Sequence, residues 1–229
     1  MALISTKLYN PSLIPDIEDY FFGQTVKMPK IHFMGKYGIN AQQHTLDLIR
    51  YLIESVFRWT PLEAGDYLTD AVLERFRITP YLKHIDFPLG MTTKKIEYIL
   101  HLIYPNIYKF NKREFYLKIY QDVLAGRGKF PKNFFNGYIS KERAEICLQH
   151  VINNYILVNS IEELYRIFSS KDISLILKKY NLILPCKNLY TNPVDFLHQA
   201  LPNSQKDLFL YHYYTFIYKN QKALEPYLK

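Results

Sequence analysis

The phrase MPKIHFMG at 28–35 returns as FPKNFFNG at 130–137. Pro29, Lys30, Phe33 and Gly35 fall on Pro131, Lys132, Phe135 and Gly137. An apolar pattern follows each time. It runs through Leu48, Ile49, Leu52, Ile53, Val56 and Phe57 in the first stretch. In the second it runs through Cys147, Leu148, Val151, Ile152, Tyr155 and Ile156. Spacings of one, three and four residues put these side chains on one face of a helix. A recurrence of this kind constrains the fold more than any composition, because two copies of one pattern fold into an array of one unit.

The match continues downstream. Trp59-Thr60-Pro61 pairs with Val158-Asn159-Ser160, and Glu63 with Glu162. Thr60 before Pro61 reads as a helix N-cap, and Ser160 with Glu163 has the capping-box form. Short helices follow, Leu62 to Leu68 and Ile161 to Ile167. Thr69 or Asp70, and Ser169 or Ser170, are placed to cap another pair. Loops marked by Pro80 and Pro88, or by Pro185, lead to a closing helix at 92–105 and 192–202. There Leu100-His101 pairs with Leu197-His198, and Pro105 with Pro202. A further helical stretch, 111–126, is echoed at 205–224 and, in shorter form, at 15–23.

With only 8 glycines and no Asn-Gly or Asp-Gly placed between alternating runs, the chain reads as mainly α. The expected architecture is a tandem duplication of a helical module of roughly 100 residues, helix-turn-helix-like in its short helix pairs, with a C-terminal capping helix. Room is left for a short edge strand near Val26–Ile31 or Ile183–Cys186. The expected divisions are a first module at 1–105, a second at 106–202, and an aromatic-rich helix at 203–229 that starts a truncated third copy.

Charge is not shared between the copies. The chain carries +8 overall. Residues 1–105 hold 11 Lys/Arg and 11 Asp/Glu, whereas 106–202 hold 14 against 8 and 203–229 hold 4 against 2. A basic half calls for an anionic partner, nucleic acid first. Lys109, Lys112, Arg113, Arg127, Lys129 and Lys132 cluster along one stretch, interleaved with aromatics. Lys112 and Arg113 sit in an expected first helical turn, where the helix dipole disfavours cations and a phosphate would compensate. Lys30 matches Lys132, and Lys171, Lys178 and Lys179 lie on the second short-helix pair. These ten residues form the expected nucleic-acid-binding set, with DNA ahead of RNA.

Other chemistries lack their residues. Gly126-Arg127-Gly128-Lys129 misses the spacing and hydroxyl of a phosphate loop. Cys147 and His150 are three apart, but no further pair completes a zinc site. Asp16, Glu18 and Asp19 suit a first helical turn without being catalytic. His101 and His198 near helix ends read as structural. No Ser/His/Asp arrangement is identifiable, so no enzyme, cofactor or metal is expected. Two cysteines, no apolar leader and no membrane-length apolar run point to a cytoplasmic protein. The Lys, Ile, Asn, Tyr and Phe bias fits an AT-rich coding genome, as in some bacteria and phages. The functional expectation is a non-enzymatic DNA-binding regulatory or accessory protein. The alternative is a helical protein–protein adaptor that self-associates or binds a partner through the Tyr/Phe-rich helix at 205–224.

Overall fold

The computed structural model describes the backbone of residues 14–28 and 41–224, and the side chains of 15–28 and 41–217. Within that range the chain is mainly helical and holds no strand. It divides into two compact units, Met1–Phe110 and Asn111–Lys229.

The first unit contains α1 (Ile14–Phe21), α2 (Ala41–Tyr51), a π-helical turn (Leu52–Val56), α3 (Pro61–Tyr67), α4 (Asp70–Arg75), a 3-10 helix (Thr79–His84) and α5 (Lys95–Ile103). Its centre is α2, buried from His44 to Tyr51. The apolar residues Leu48, Ile49, Leu52 and Ile53 are fully enclosed, each contributing about 1.5–3 kcal/mol of hydrophobic stabilisation. The polar groups of α2 are enclosed as well, so they need internal partners. Thr45 Oγ1 donates to Ala41 O at 2.9 Å, Asp47 accepts from Gln43 Nε2 at 2.9 Å, and Arg50 donates to Ile103 O at 3.0 Å. Helix α2 packs on α5 and on the 3-10 helix, α3 packs on α5, and α4 on the 3-10 helix. Ile17 and Tyr20 of α1 join Met28, Leu48 and Tyr51 in one apolar cluster.

The expected helix through Phe57 does not end as a plain α-helix. Phe57 N–H bonds Leu52 O at 3.0 Å and Trp59 N–H bonds Ile53 O at 2.9 Å. This wide turn, of the kind that breaks α-helical register, lays the Phe57 ring on Trp59 with centroids 4.2 Å apart. Thr60 then caps α3 in a complete capping box with Glu63, and Thr69 caps α4 by accepting from Val72 N–H at 3.3 Å.

The second unit contains α6 (Lys112–Leu124), α7 (Ser140–Tyr155), α8 (Ile161–Ser169), α9 (Ile173–Lys179), α10 (Ile183–Leu189), α11 (Pro193–Ala200) and α12 (Asn203–Leu224). Here α7 is central. It packs on α6, α10 and α11, while α8 packs on α11, α9 and α12, and α9 on α10. Asn111, Ser160 and Asn192 cap α6, α8 and α11 through their side-chain oxygens. α9 differs from expectation, because neither Ser169 nor Ser170 caps it. Its N-cap is Asp172, with no side-chain bond, and Ser170 Oγ donates back to Ile167 O at 2.8 Å. The segment around Pro185, expected as a loop or short strand, is helix α10. Pro185 lies in its first turn, where a missing N–H removes no intrahelical bond. One face of α12 is seated: the rings of Phe209 and Phe216 lie 5.7 and 5.6 Å from Tyr165.

Candidate nucleic-acid interface

Lys30 lies outside the described residues. Lys109, in the first unit, is exposed and donates through Nζ to Pro105 O, in the turn after α5, at 2.8 Å. In the second unit, Lys112 and Arg113 occupy the first turn of α6, just after the Asn111 cap. Both are exposed, and Arg113 donates to the amide oxygen of Gln149. Arg127 follows the helix stop at Gly126, whose φ of +70° is left-handed backbone. It is exposed but engaged, with Nη2 2.7 Å from Asp122 Oδ1.

Lys129, Lys132, Lys171 and Lys178 are exposed, and none of them forms a hydrogen bond or ion pair among the described residues. Lys179 lies with its ammonium 5.4 Å from the Tyr180 ring centroid. The thirteen-residue α6 spans about 20 Å, with Lys112 and Arg113 at its start and Arg127 beyond its end. The chain then turns back along the helix, with the Phe130 ring 6.0 Å from Tyr120 and the Phe134 ring 5.9 Å from Tyr116.

One part of that set is brought together by a cleft. The segment Phe130–Asn136 faces the end of α9 and the first turns of α10 across about 430 Å³. Its lining includes Lys178, Asn133, Asn136, Asn181 and Asn188. The residues flanking it, 127–137 and 173–190, contain six Lys/Arg and no Asp or Glu. The 130–136 segment is held from beneath by Arg143, which is 3% exposed. Its Nε donates to Phe134 O and its Nη2 to Asn136 O at 2.7 Å. The guanidinium also lies 5.5 and 5.4 Å from the Tyr116 and Phe134 ring centroids. A charge-assisted bond of this kind is worth about 1.5–3 kcal/mol.

Sequence reasoning gave Arg143 and the four asparagines no role. Two signals were present. Arg143 stands four residues before Cys147 on the core-facing stripe of α7, where a cation must be satisfied internally. Asn181 follows the last turn of α9 with φ +57°, a position asparagine fills more readily than other non-glycine residues.

The remaining candidates are placed as follows. His101 Nδ1 donates to Tyr108 O at 2.9 Å. His198 stacks on Phe209 with centroids 5.5 Å apart. His150 Nδ1 accepts from Asn154 at 3.0 Å, and burial holds its imidazole below the ordinary histidine range. Burial raises both thiols, Cys186 to about 11 and Cys147 further. Buried, protonated thiols are poor nucleophiles and poor ligands. Among the described residues, no group of three His, Cys, Asp or Glu is placed to hold a metal ion, and no helix is long and apolar enough to cross a membrane.

A family model described as "Protein of unknown function (DUF4046)" matches residues 116–206. The similarity runs from the middle of α6 into the start of α12, so it takes in the cleft and the Arg143 anchor. No curated protein and no solved structure matches the chain.

Proposed function

We propose that this chain is a non-enzymatic nucleic-acid-binding protein that binds DNA in a regulatory or accessory role through its second unit. One observation carries the reading: the cleft-flanking stretches 127–137 and 173–190 hold six cations and no carboxylate, and Lys129, Lys132 and Lys178 among them are exposed. Free ammonium groups on one surface attract phosphate and release its counterions. Arg113, Arg127 and Lys109 already have partners, so they contribute less. The helix-turn-helix-like part belongs to the same proposal, with α9 the candidate reading helix because Lys178 and Lys179 are exposed on it.

The proposal includes a tandem duplication. Several internal correspondences support it. The packing pairs α2–α5, α2–3-10 helix, α3–α5 and α4–3-10 helix have the counterparts α7–α11, α7–α10, α8–α11 and α9–α10. Arg50 donates to Ile103 O and Gln149 to Ala200 O, at the ends of α5 and α11. Helices α4 and α9 end in the same hydrogen-bonded turn: Ile78 N–H bonds Leu73 O at 2.8 Å, and Leu182 N–H bonds Leu177 O at 2.7 Å. Left-handed Arg77 and Asn181 precede them. The capped pair is Thr60 with Ser160, one residue along from the match read off the sequence.

The test is a fluorescence-anisotropy titration of the full chain with duplex and single-stranded DNA from 50 to 200 mM salt. Each phosphate contact on a duplex contributes about −0.9 to the slope of log K against log salt. Binding whose affinity ignores salt, or no binding at the lowest salt, removes the proposal.

A second reading has its own observation. Leu208, Tyr211 and Tyr214 on α12 are 50%, 65% and 64% exposed. Three large apolar residues at i, i+3 and i+6 form a stripe suited to another helix, which favours self-association or an adaptor role. Light scattering on the full chain and on a Tyr211→Glu/Tyr214→Glu variant separates this reading from the first.

A further inference from the structure

The cleft in the second unit has features that a purely electrostatic surface does not need. Its volume of about 430 Å³ lies in the range of small-molecule sites, roughly 300–1,000 Å³. Phe130, Phe134 and Phe135 form one wall as a mutually packed trio, with centroids 4.8–5.0 Å apart. Phe134 is 2% exposed and Arg143 ties the backbone on either side of Phe135, so the wall is set before any ligand arrives. Across from it, Leu184 is 66% exposed at the rim. Four asparagines line the space and no carboxylate does; Asn136 Nδ2 donates to Asn133 Oδ1 at 3.3 Å, and the amides of Asn181 and Asn188 each carry donors and an acceptor. Lys178 lines it too, and Lys132 lies on the same segment as the phenylalanines.

Aromatic faces, neutral amides and ammonium groups match the three parts of a nucleotide: a flat ring, an edge with donors and acceptors, and a phosphate. We infer that this cleft receives an unpaired base of a single-stranded nucleic acid. The ring lies against Phe130 and Phe135, the asparagines face the base edge, and Lys178 and Lys132 take the flanking phosphates. The inference rests on the nucleic-acid reading above and narrows it. A base in a duplex is stacked and paired, so it reaches such a cleft only if it is extruded, whereas a single strand offers it freely. An acidic peptide would satisfy the lysines but leave the aromatic wall and the amides without matching partners.

The experiment measures anisotropy of the full chain with a labelled twelve-nucleotide single strand, the matching duplex, and the same strand with abasic sites. The intact strand is expected to bind about tenfold more tightly than the other two. Phe135→Ala is expected to lose about tenfold on the strand alone while the salt slope is kept, because stacking releases no counterions. Should Phe135→Ala fail to fold, Asn188→Leu decides, since it keeps size and charge at an exposed position of α10 and removes one amide. About fivefold loss on the strand, with duplex binding unchanged, is its expected result.

Equal affinity for strand, duplex and abasic strand, with both variants indifferent, overturns the cleft and leaves the nucleic-acid proposal standing. Salt-independent binding, or none, removes both. Polyglutamate competing as well as the strand overturns the cleft in favour of an acidic protein. AMP competing more strongly than the strand, per nucleotide, overturns the strand as the source of the base.

Discussion

Arg143 is the residue on which most of the cleft geometry converges. It is buried, carries a fixed charge, and commits its donors to two carbonyls of the 130–136 segment. Arg143→Met keeps the length and loses the donors. It leaves two carbonyls unsatisfied and is expected to lower stability by about 2–3 kcal/mol, read as a shift of the urea midpoint with unchanged m-value. Buried tyrosines are expected to set the alkaline limit. Burial raises Tyr20, Tyr104, Tyr120 and Tyr190, and it raises Tyr51, beside the Glu18 carboxylate, to about 12. A raised value means the folded chain holds the proton more tightly than the unfolded chain does. Their stabilising contribution is therefore complete below pH 10, the ordinary value, and is lost as pH rises through the folded values. Tyrosinate absorbance at 295 nm should show these five rings titrating only together with loss of the circular dichroism signal. Their free titration in a still-helical chain would contradict the burial described.

Helix ends decide the elements. Most of these helices have fewer than a dozen residues, too short to be stable alone, so a capped start is a large share of what each contributes locally. Ser160 accepts from Glu163 N–H at 3.1 Å at the start of α8, whereas Ser170 bonds backwards and caps nothing ahead of it. Ser160→Ala is expected to cost about 1 kcal/mol. Ser170→Ala is expected to stay within about 0.5 kcal/mol of the parent. Thermal melts of the two variants side by side distinguish them. The same logic explains where sequence reading slipped. A serine just before an apolar run looks like a cap wherever it stands, and Ser160 and Ser170 both fit. Which one caps depends on where the backbone leaves the previous helix.

At the scale of the whole molecule, charge separates the two units. Residues 1–110 carry 12 Lys/Arg and 11 Asp/Glu, and residues 111–229 carry 17 and 10, a net of +1 against +7. Replacing Lys132 and Lys178 with Gln in the full chain is expected to flatten the duplex-DNA salt slope by about 1.8, since each phosphate left without its lysine removes about 0.9. Replacing Lys83 and Lys95 in the first unit removes as much charge and should leave the slope in place. Equal effects from both pairs would mean that net charge, not the second unit, does the binding. The sequence by itself determined the helical class, the apolar stripes of α2 and α7, the caps at Thr60 and Ser160, and the uneven charge. Each of these is written in residues that are close along the chain, within one or two helical turns. Only the tertiary structure decided that Arg143 lies beneath Phe134, that α10 forms around Pro185, and that Asn133 and Asn136 face Asn181, Asn188 and Lys178. Arg143 and Phe134 are nine positions apart and the asparagines across the cleft some fifty, and which face of α9 and α10 meets the 130–136 segment is set by tertiary packing, which no local pattern encodes.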